Sequence, residues 1–183
     1  MELKGERQLP ADRASAWALL NDSEVLKLCV PGCESMTANG TSSYDILMTT
    51  AIGPVRARFK GKLSLTDIEA PRRYRLLFEG QSGQAGFARG EAQVELQEVS
   101  PRETKLIYAA SAQIGGKLAQ VGARLIDAAA AATADKFFEC FAAQLSARAS
   151  PAGAAEAAAK PAAARPGFWR WLSSFLKHLF ASR

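Results

Sequence analysis

The sequence predicts an α+β domain in which one antiparallel sheet is covered by a single long helix. Between about residues 33 and 114, apolar and polar side chains alternate in successive segments separated by short turns. This period of two is typical of antiparallel strands with one buried and one wet face. After Gly115-Gly116 the spacing becomes helical and continues without proline to about Arg148. A sheet with one apolar face is buried by packing a helix against it.

The N-terminal segment predicts one strand followed by two short helices. The strand runs from Glu2 to Leu9 and is stopped by Pro10. Asp12 is placed to cap a first helix that carries Ala14, Trp17, Ala18 and Leu20. A second helix through Val25, Leu26 and Leu28 is expected to end at Pro31-Gly32.

The strands that follow are predicted from their alternation. On each strand the apolar positions are expected to share one face of the sheet. They are Tyr44, Ile46, Met48 and Ile52; then Val55, Ala57, Phe59, Gly61, Leu63 and Leu65; then Tyr74, Leu76 and Phe78; then Ala88, Gly90, Ala92, Val94 and Leu96; and finally Leu106, Tyr108 and Ala110.

The long helix is predicted from Lys117 to about Arg148, where alanine is abundant. Its buried stripe is expected to consist of Leu118, Val121, Leu125, Phe137, Phe141 and Leu145. The sequence therefore predicts a folded domain over residues 1–148. Residues 149–166 are mostly Ala, Pro and Gly and predict a flexible linker.

Residues 167–183 predict an amphipathic helix that attaches the chain to a membrane surface. On a helical wheel the aromatic and leucine side chains fall on one half and the cations on the other, which is typical of a helix lying among lipid headgroups. At about 1.5 Å per residue such a helix is too short to cross a bilayer. The expected membrane-binding residues are Phe168, Trp169, Arg170, Trp171, Leu172, Phe175, Leu176, Lys177, Leu179 and Phe180. The alternative is that the stripe docks on its own domain or on a partner protein.

The charged residues, the cysteines and the single histidine limit the location and the chemistry that we expect of the protein. Residues 1–149 hold 18 Lys+Arg and 17 Asp+Glu, so most of the net charge of +5 lies in the C-terminal segment. The first residues lack the apolar core of a signal peptide, and we expect a cytoplasmic protein. Cys29, Cys33 and Cys140 are expected to be reduced thiols. The only histidine, His178, lies in the tail, and no metal site or catalytic residue is predicted.

The order of elements and several short motifs resemble the CoxG family of carbon monoxide dehydrogenase subunits over about residues 1–147. This family belongs to the helix-grip (START-like) superfamily, which also contains lipid-transfer domains and aromatic cyclases. The matching stretches are the turn Pro31-Gly32-Cys33-Glu34, Ile52-Gly53-Pro54-Val55, Phe59-Lys60-Gly61-Lys62-Leu63, Gly86-Phe87-Ala88-Arg89-Gly90 and residues 115–122, Gly-Gly-Lys-Leu-Ala-Gln-Val-Gly.

The resemblance implies a curved seven-stranded sheet that grips the long helix around an apolar cavity. It also implies a non-catalytic accessory protein on the inner face of the cytoplasmic membrane. Such a protein recruits a molybdenum-containing carbon monoxide dehydrogenase, or a related hydroxylase, and binds a respiratory quinone (menaquinone or ubiquinone). The membrane lipid is a further expected partner, and nucleic acid is not.

Candidate ligand-binding residues follow from the cavity that the resemblance implies. From the sheet we expect Tyr44, Ile46, Met48, Phe59, Leu63, Leu76, Phe78 and Phe87; from the helix Leu118, Val121, Leu125 and Phe137; and near the mouth Leu28 and Val30. The glycines at 115, 116 and 122 are expected either to keep the helix entrance narrow or to set the helix start.

Three other functions are weighed against this one. A pure membrane tether with a filled core differs only in lacking a cavity. An enzyme would need a buried acid–base pair, which Arg89 and Glu91 could supply if they faced inward. The basic residues Arg56, Arg58, Lys60 and Lys62 on one strand face suggest nucleic acid, but no aromatic platform accompanies them; a solvated face or a protein docking surface suits them better.

Overall fold

The computed structural model describes residues 1–149, and the predicted linker and tail lie outside the described residues except for Ala149. Two 3-10 turns, Gly83–Ala85 and Gly116–Val121, accompany the regular elements. These elements are β1 (Glu2–Leu9), α1 (Arg13–Leu20), α2 (Ser23–Cys29), β2 (Cys33–Ala38), β3 (Ser43–Ile52), β4 (Val55–Glu69), β5 (Arg73–Ser82), β6 (Gly86–Ser100), β7 (Glu103–Gly115) and α3 (Ala123–Ala149).

The seven strands form one antiparallel sheet in the order β1-β7-β6-β5-β4-β3-β2. Each strand from β2 to β7 lies beside the next one in the chain, whereas β1 pairs with β7 and so forms the opposite edge. The predicted α+β fold with a seven-stranded sheet and a long C-terminal helix is confirmed.

The register places the apolar positions of all strands on the same face. Gly61 lies opposite Gly80, which lies opposite Ala88, which in turn lies opposite Ile114. Since directly opposed residues share a face, the alternation predicted for each strand combines into one apolar inner face and one polar outer face. The inner face is the one against which the helices pack.

The first helix begins where the sequence predicts it. The Asp12 carboxylate accepts hydrogen bonds from the backbone N–H of Ser15 (2.9 Å) and from its hydroxyl (2.6 Å). These bonds, first the one from the Ser15 side chain, lower the pKa of Asp12. The carboxylate thus satisfies an N–H group at the helix start that has no partner within the helix.

The long helix begins later than predicted. Residues 116–121 form a 3-10 turn, and α3 starts only at Ala123 because Gly122 has a φ of +95°, which interrupts the helix. The interruption also shifts the phase of the buried stripe. Ile126 is buried, whereas Leu125 is 49% exposed; the prediction that Leu125 is part of the stripe is wrong.

The prediction of three reduced thiols is also wrong. Cys29 at the end of α2 and Cys140 in α3 form a disulfide that spans 111 residues of sequence, and only Cys33 is a free thiol. The pairing results from the packing of α2 against the C-terminal half of α3, which sequence spacing does not reveal. Burial raises the pKa of the Cys33 thiol, against the opposing effect of Lys27.

Candidate ligand-binding site on the inner face

The inner face is buried at its two ends and half-exposed in the middle. One buried cluster joins the start of the fold to the C-terminal half of α3 and includes Leu9, Leu106 and Phe141. A second, smaller cluster at the opposite end of the sheet consists of Ala57, Phe59 and Leu118. Between the clusters, inner-face side chains retain partial exposure although they point towards the helix side: Tyr44, Leu63, Leu65, Leu76, Phe78, Ala92, Ala110 and Ala112. An apolar surface of this kind, flanked by packed ends, is suited to a hydrophobic ligand.

The covering helix carries small residues opposite this middle region. Along one face of α3, the large side chains Ile126 and Phe141 are buried, and the positions between them at helical spacing include Ala130 and Ala134. Both alanines are half-buried. The helix therefore has large anchors near its ends and short side chains between them.

Glycines on the inner face make room for aromatic rings to lie along the sheet. A Cβ atom at Gly5 would lie 2.6 Å from the hydroxyl oxygen of Tyr108, and one at Gly90 would lie 2.9 Å from the Phe78 ring. The Phe59 ring lies over Gly80, at an ordinary contact distance of 3.5 Å from such an atom. At these three positions an aromatic ring therefore lies along the floor of the site, over a glycine.

All three tyrosines of the chain lie on the inner face. They are Tyr44 on β3, Tyr74 on β5 and Tyr108 on β7. None of their hydroxyls hydrogen-bonds another residue within 1–149. Burial raises the pKa of Tyr74, and the neighbouring Tyr44 adds to the shift; its ring also meets Trp17 edge-on, with centroids 5.5 Å apart. The site therefore offers neutral phenols as hydrogen-bond donors in an apolar setting.

The middle of the site is otherwise without charge. Within the described residues, the inward positions of β3 to β7 between the two clusters carry no ionisable side chain apart from tyrosine. Arg7 on the edge strand β1 is held by Asp135 of α3. Arg89 and Glu91 lie on the outer face, since the inner positions of β6 are Ala88 and Gly90. The acid–base pair that an enzyme would have drawn from Arg89 and Glu91 is absent from the site.

The structure brings together most of the sheet residues predicted for the site. Those on the inner face are Tyr44, Ile46, Met48, Phe59, Leu63, Leu76 and Phe78. Leu118 and Val121 lie on the 3-10 turn, the former fully buried, and Phe137 packs against Phe138 and Phe141. Their contact with a ligand stays a prediction.

Two predicted residues, Phe87 and Leu125, are placed differently, and two others, Leu28 and Val30, lie in α2 and at its end, outside the sheet, where their place at the mouth stays a prediction. Phe87 is on the outer face, opposite Gly115 and 40% exposed, because it alternates with the inward Ala88. Leu125 and Leu28 are exposed, the latter by 65%, and Val30 is half-buried. The prediction that Phe87 faces inward is wrong. The residues that sequence reasoning missed as site residues are Leu65, Tyr74, Tyr108, Ala130 and Ala134; the alternation of β5 and β7 already placed both tyrosines inward.

Among the other pockets in the described residues, one is lined by charged side chains and one is small, so neither is a large apolar site like the inner face. A groove of about 810 Å³ lies on the outer face and is lined by charged side chains such as Lys62 and Glu79. A small pocket of about 150 Å³ lies where β7 meets the start of α3, beside Ile114 and Ile126. Within residues 1–149 there is no helix long and apolar enough to cross a membrane, and no group of three or more side chains suited to holding a metal ion.

The sequence matches the CoxG family of carbon monoxide dehydrogenase subunits over residues 5–146. Since this range is more than half of the chain, the protein belongs to that family. No curated protein sequence matches it significantly.

Solved structures support the fold. A conserved protein from Geobacillus kaustophilus has a TM-score of 0.77 at 28% identity, covering 81% of this chain and 97% of that one. The ZhuI aromatase/cyclase from Streptomyces sp. R1128 has a TM-score of 0.63 at 9% identity, covering 84% and 98%. A START superfamily protein from Mycobacterium smegmatis has 0.59 at 10% identity, covering 79% and 97%. The last two show a shared helix-grip fold and no more.

Proposed function

We propose that this protein is a non-catalytic accessory protein that holds a molybdenum-containing carbon monoxide dehydrogenase, or a related hydroxylase, at the cytoplasmic membrane and binds a respiratory quinone on the inner face of its sheet. Family membership supports the accessory role beside carbon monoxide dehydrogenase. The proposal that a ligand binds is supported by the apolar side chains in the middle of the inner face, which are only partly buried. The bound quinone would couple the dehydrogenase to the electron transport chain.

The chemistry of the inner face suits a quinone such as menaquinone or ubiquinone. Its isoprenoid chain is apolar and needs a lining such as that of Leu63, Leu76 and Phe78. Its two carbonyl oxygens accept hydrogen bonds and carry no charge, so phenol hydroxyls are matched donors. Tyr44 and Tyr74 supply such donors without the desolvation cost of a buried charge.

The membrane part of the proposal rests on the sequence of residues 167–183, which lie outside the described residues. A quinone with a long apolar chain resides in the bilayer, and a carrier must reach the bilayer to collect it. The aromatic and basic composition of the tail suits this contact.

The first test is to identify what the protein carries. The full chain would be purified from a respiring bacterium, extracted with organic solvent and analysed by mass spectrometry, beside the double variant Ala130→Leu/Ala134→Leu. The matched control is Ala128→Leu/Ala132→Leu, which adds the same atoms at exposed positions of the same helix. We expect quinone in the wild type and control, and a loss of at least tenfold in the variant with the inward leucines.

The outcomes separate the carrier from its two alternatives. Equal quinone in both variants would mean that lipid carried along with the tail, and not the inner face, is the source. No quinone in any of the proteins, together with no binding of an added short-chain quinone, would leave a membrane tether. An enzyme is disfavoured because Arg89 and Glu91 face outward, although the aromatase/cyclase with a similar fold is named for a catalytic activity.

A further inference from the structure

One end of the domain carries concentrated positive charge. Three segments contain no acidic residue: residues 51–61 around the β3–β4 hairpin, 83–90 at the start of β6, and 113–126 from the end of β7 into α3. Together they hold six of the 18 Lys+Arg of residues 1–149, which leaves 12 cations against 17 acids elsewhere in that range. The cations are Arg56, Arg58, Lys60, Arg89, Lys117 and Arg124. We call this surface the basic end.

Packing brings the three segments of the basic end together. Leu118 from the third segment is buried against Ala57 and Phe59 from the first, with Ala85 and Ala88 from the second beside them. A Cβ atom built on Gly53 at the hairpin tip would lie 3.6 Å from Leu125 at the start of α3. Charges that are distant in sequence therefore share one end of the molecule.

Most of these cations are not neutralised within the described part of the chain. Arg58 is the exception: its guanidinium donates to Glu34 at 2.6 and 3.0 Å. Arg56, Lys60, Lys117 and Arg124 form no ion pair with residues 1–149. Arg89 donates to the neutral Gln113 and lies over the Phe87 ring, 5.7 Å from its centroid. The acids that border this end are Glu2, Glu34, Asp45, Glu79 and Asp127.

Apolar side chains are exposed among the same cations. Leu125 is 49% exposed and Phe87 is 40% exposed. The small pocket formed by Ala112, Ile114 and Ile126 opens at this end too, between the inner-face positions of β7 and the start of α3. A surface on which exposed apolar groups lie among Lys and Arg suits the headgroup layer of an anionic bilayer, because the apolar groups can insert and the cations are attracted to the anionic headgroups.

We propose that the basic end docks on the anionic lipid surface, independently of the tail, and presents the inner face of the sheet to the bilayer. An acidic protein would satisfy the cations but would not account for the exposed apolar side chains Phe87 and Leu125 among them. The inference rests on the proposed membrane function and goes beyond it, because it assigns the contact to the folded domain and fixes the orientation of that domain.

The test uses the full chain and vesicle co-sedimentation. The variant Arg56→Gln/Lys60→Gln/Lys117→Gln/Arg124→Gln removes four cations from the basic end. The matched control, Lys4→Gln/Lys27→Gln/Arg102→Gln/Lys136→Gln, removes four cations that also form no ion pair with residues 1–149 but lie outside those three segments. Vesicles contain phosphatidylcholine alone or with one quarter phosphatidylglycerol, at low and high salt.

Each Lys or Arg near an anionic surface strengthens binding by roughly fivefold. We expect the basic-end variant to bind the anionic vesicles at least tenfold more weakly than the wild type at low salt, with a smaller difference at high salt. The control should lose less than threefold, and on phosphatidylcholine all three proteins should bind alike. A second variant, Leu125→Ser, should weaken binding to both kinds of vesicle.

Equal losses in the two charge variants would overturn the inference, since only net charge would then matter. No loss in the basic-end variant would also overturn it. Loss of dehydrogenase binding with vesicle binding unchanged would reassign the basic end to a protein partner. These outcomes are distinct from failure of the proposed function, which shows as an absence of quinone in the extract of the purified full chain.

Discussion

The disulfide between Cys29 and Cys140 makes a quantitative prediction about stability. It closes a loop of 111 residues. In the chain-entropy model a cross-link over a loop of this length lowers the entropy of the unfolded chain enough to stabilise the folded state by about 5 kcal/mol at 25 °C. With a urea dependence of about 2 kcal/mol per molar, typical of a small domain, removing the bond lowers the unfolding midpoint by about 2.5 M.

The assay is urea unfolding of wild type, Cys29→Ala and Cys33→Ala, with and without reductant. Cys33→Ala is the matched control because it removes a half-buried free thiol four residues away and leaves the bond intact. Cys29 is itself buried, so Cys29→Ala also loses packing. The contribution of the bond alone is the part of the difference between wild type and Cys29→Ala that disappears when both are reduced.

Two results would refute this reasoning. If Cys29→Ala and Cys33→Ala unfolded at the same urea concentration without reductant, the bond would not constrain the unfolded chain. If the denatured, non-reduced wild type titrated with three thiols instead of one, the bond would not form. The second result would also restore the sequence-based expectation of three thiols for a cytoplasmic protein.

Two further predictions concern the cap of α1 and the inner-face glycines. Asp12→Ala should lower the free energy of unfolding by about 1 kcal/mol at neutral pH. Because the pKa of Asp12 is lowered in the folded state, the stability that the wild-type carboxylate adds is present above about pH 4 and is lost as the pH falls further. Asp12→Asn should keep a cap without this pH dependence. Gly90→Ala should lower the free energy of unfolding, measured in urea, by about 1–3 kcal/mol, because the new methyl group collides with the Ser111 carbonyl oxygen and the Phe78 ring. Gly80→Ala, whose methyl group would meet Phe59 at an ordinary contact distance, should lower it by less than half as much. Equal losses in the two variants would contradict the packing described.

The elements that were predicted correctly are those with a local chemical signal. The β1 strand ends at Leu9 because Pro10 follows it, and α1 starts after Asp12 because a carboxylate there caps the helix. The inward set of each strand follows from alternation alone, and the misplacement of Phe87 arose from choosing a large aromatic against that alternation. No local signal of this kind marks which residues are brought together by folding.

The errors share a physical cause. The late start of α3 depends on a left-handed backbone at Gly122, and glycine permits this conformation without requiring it. The pairing of Cys29 with Cys140 depends on how α2 packs against α3. The grouping of six cations at one end depends on three segments meeting around Leu118. Each is a property of the assembled fold and not of a sequence window.

The small residues of α3 bear on the choice between a carrier and a tether. A core that only has to be stable gains from filling: larger apolar residues in place of the half-buried Ala130 and Ala134 would bury more apolar surface, and each well-packed leucine is worth about 2–5 kcal/mol relative to alanine. A tether does not need short side chains at these positions, so alanine there would lower the stability with no benefit. A carrier needs room for its ligand beneath them, and the ligand recovers the lost burial when it binds. If Ala130→Leu/Ala134→Leu raises the free energy of unfolding of the ligand-free protein while abolishing quinone binding, the two demands are in direct competition at these positions. If it destabilises the protein by overpacking, the space above the sheet is already filled and the carrier is refuted.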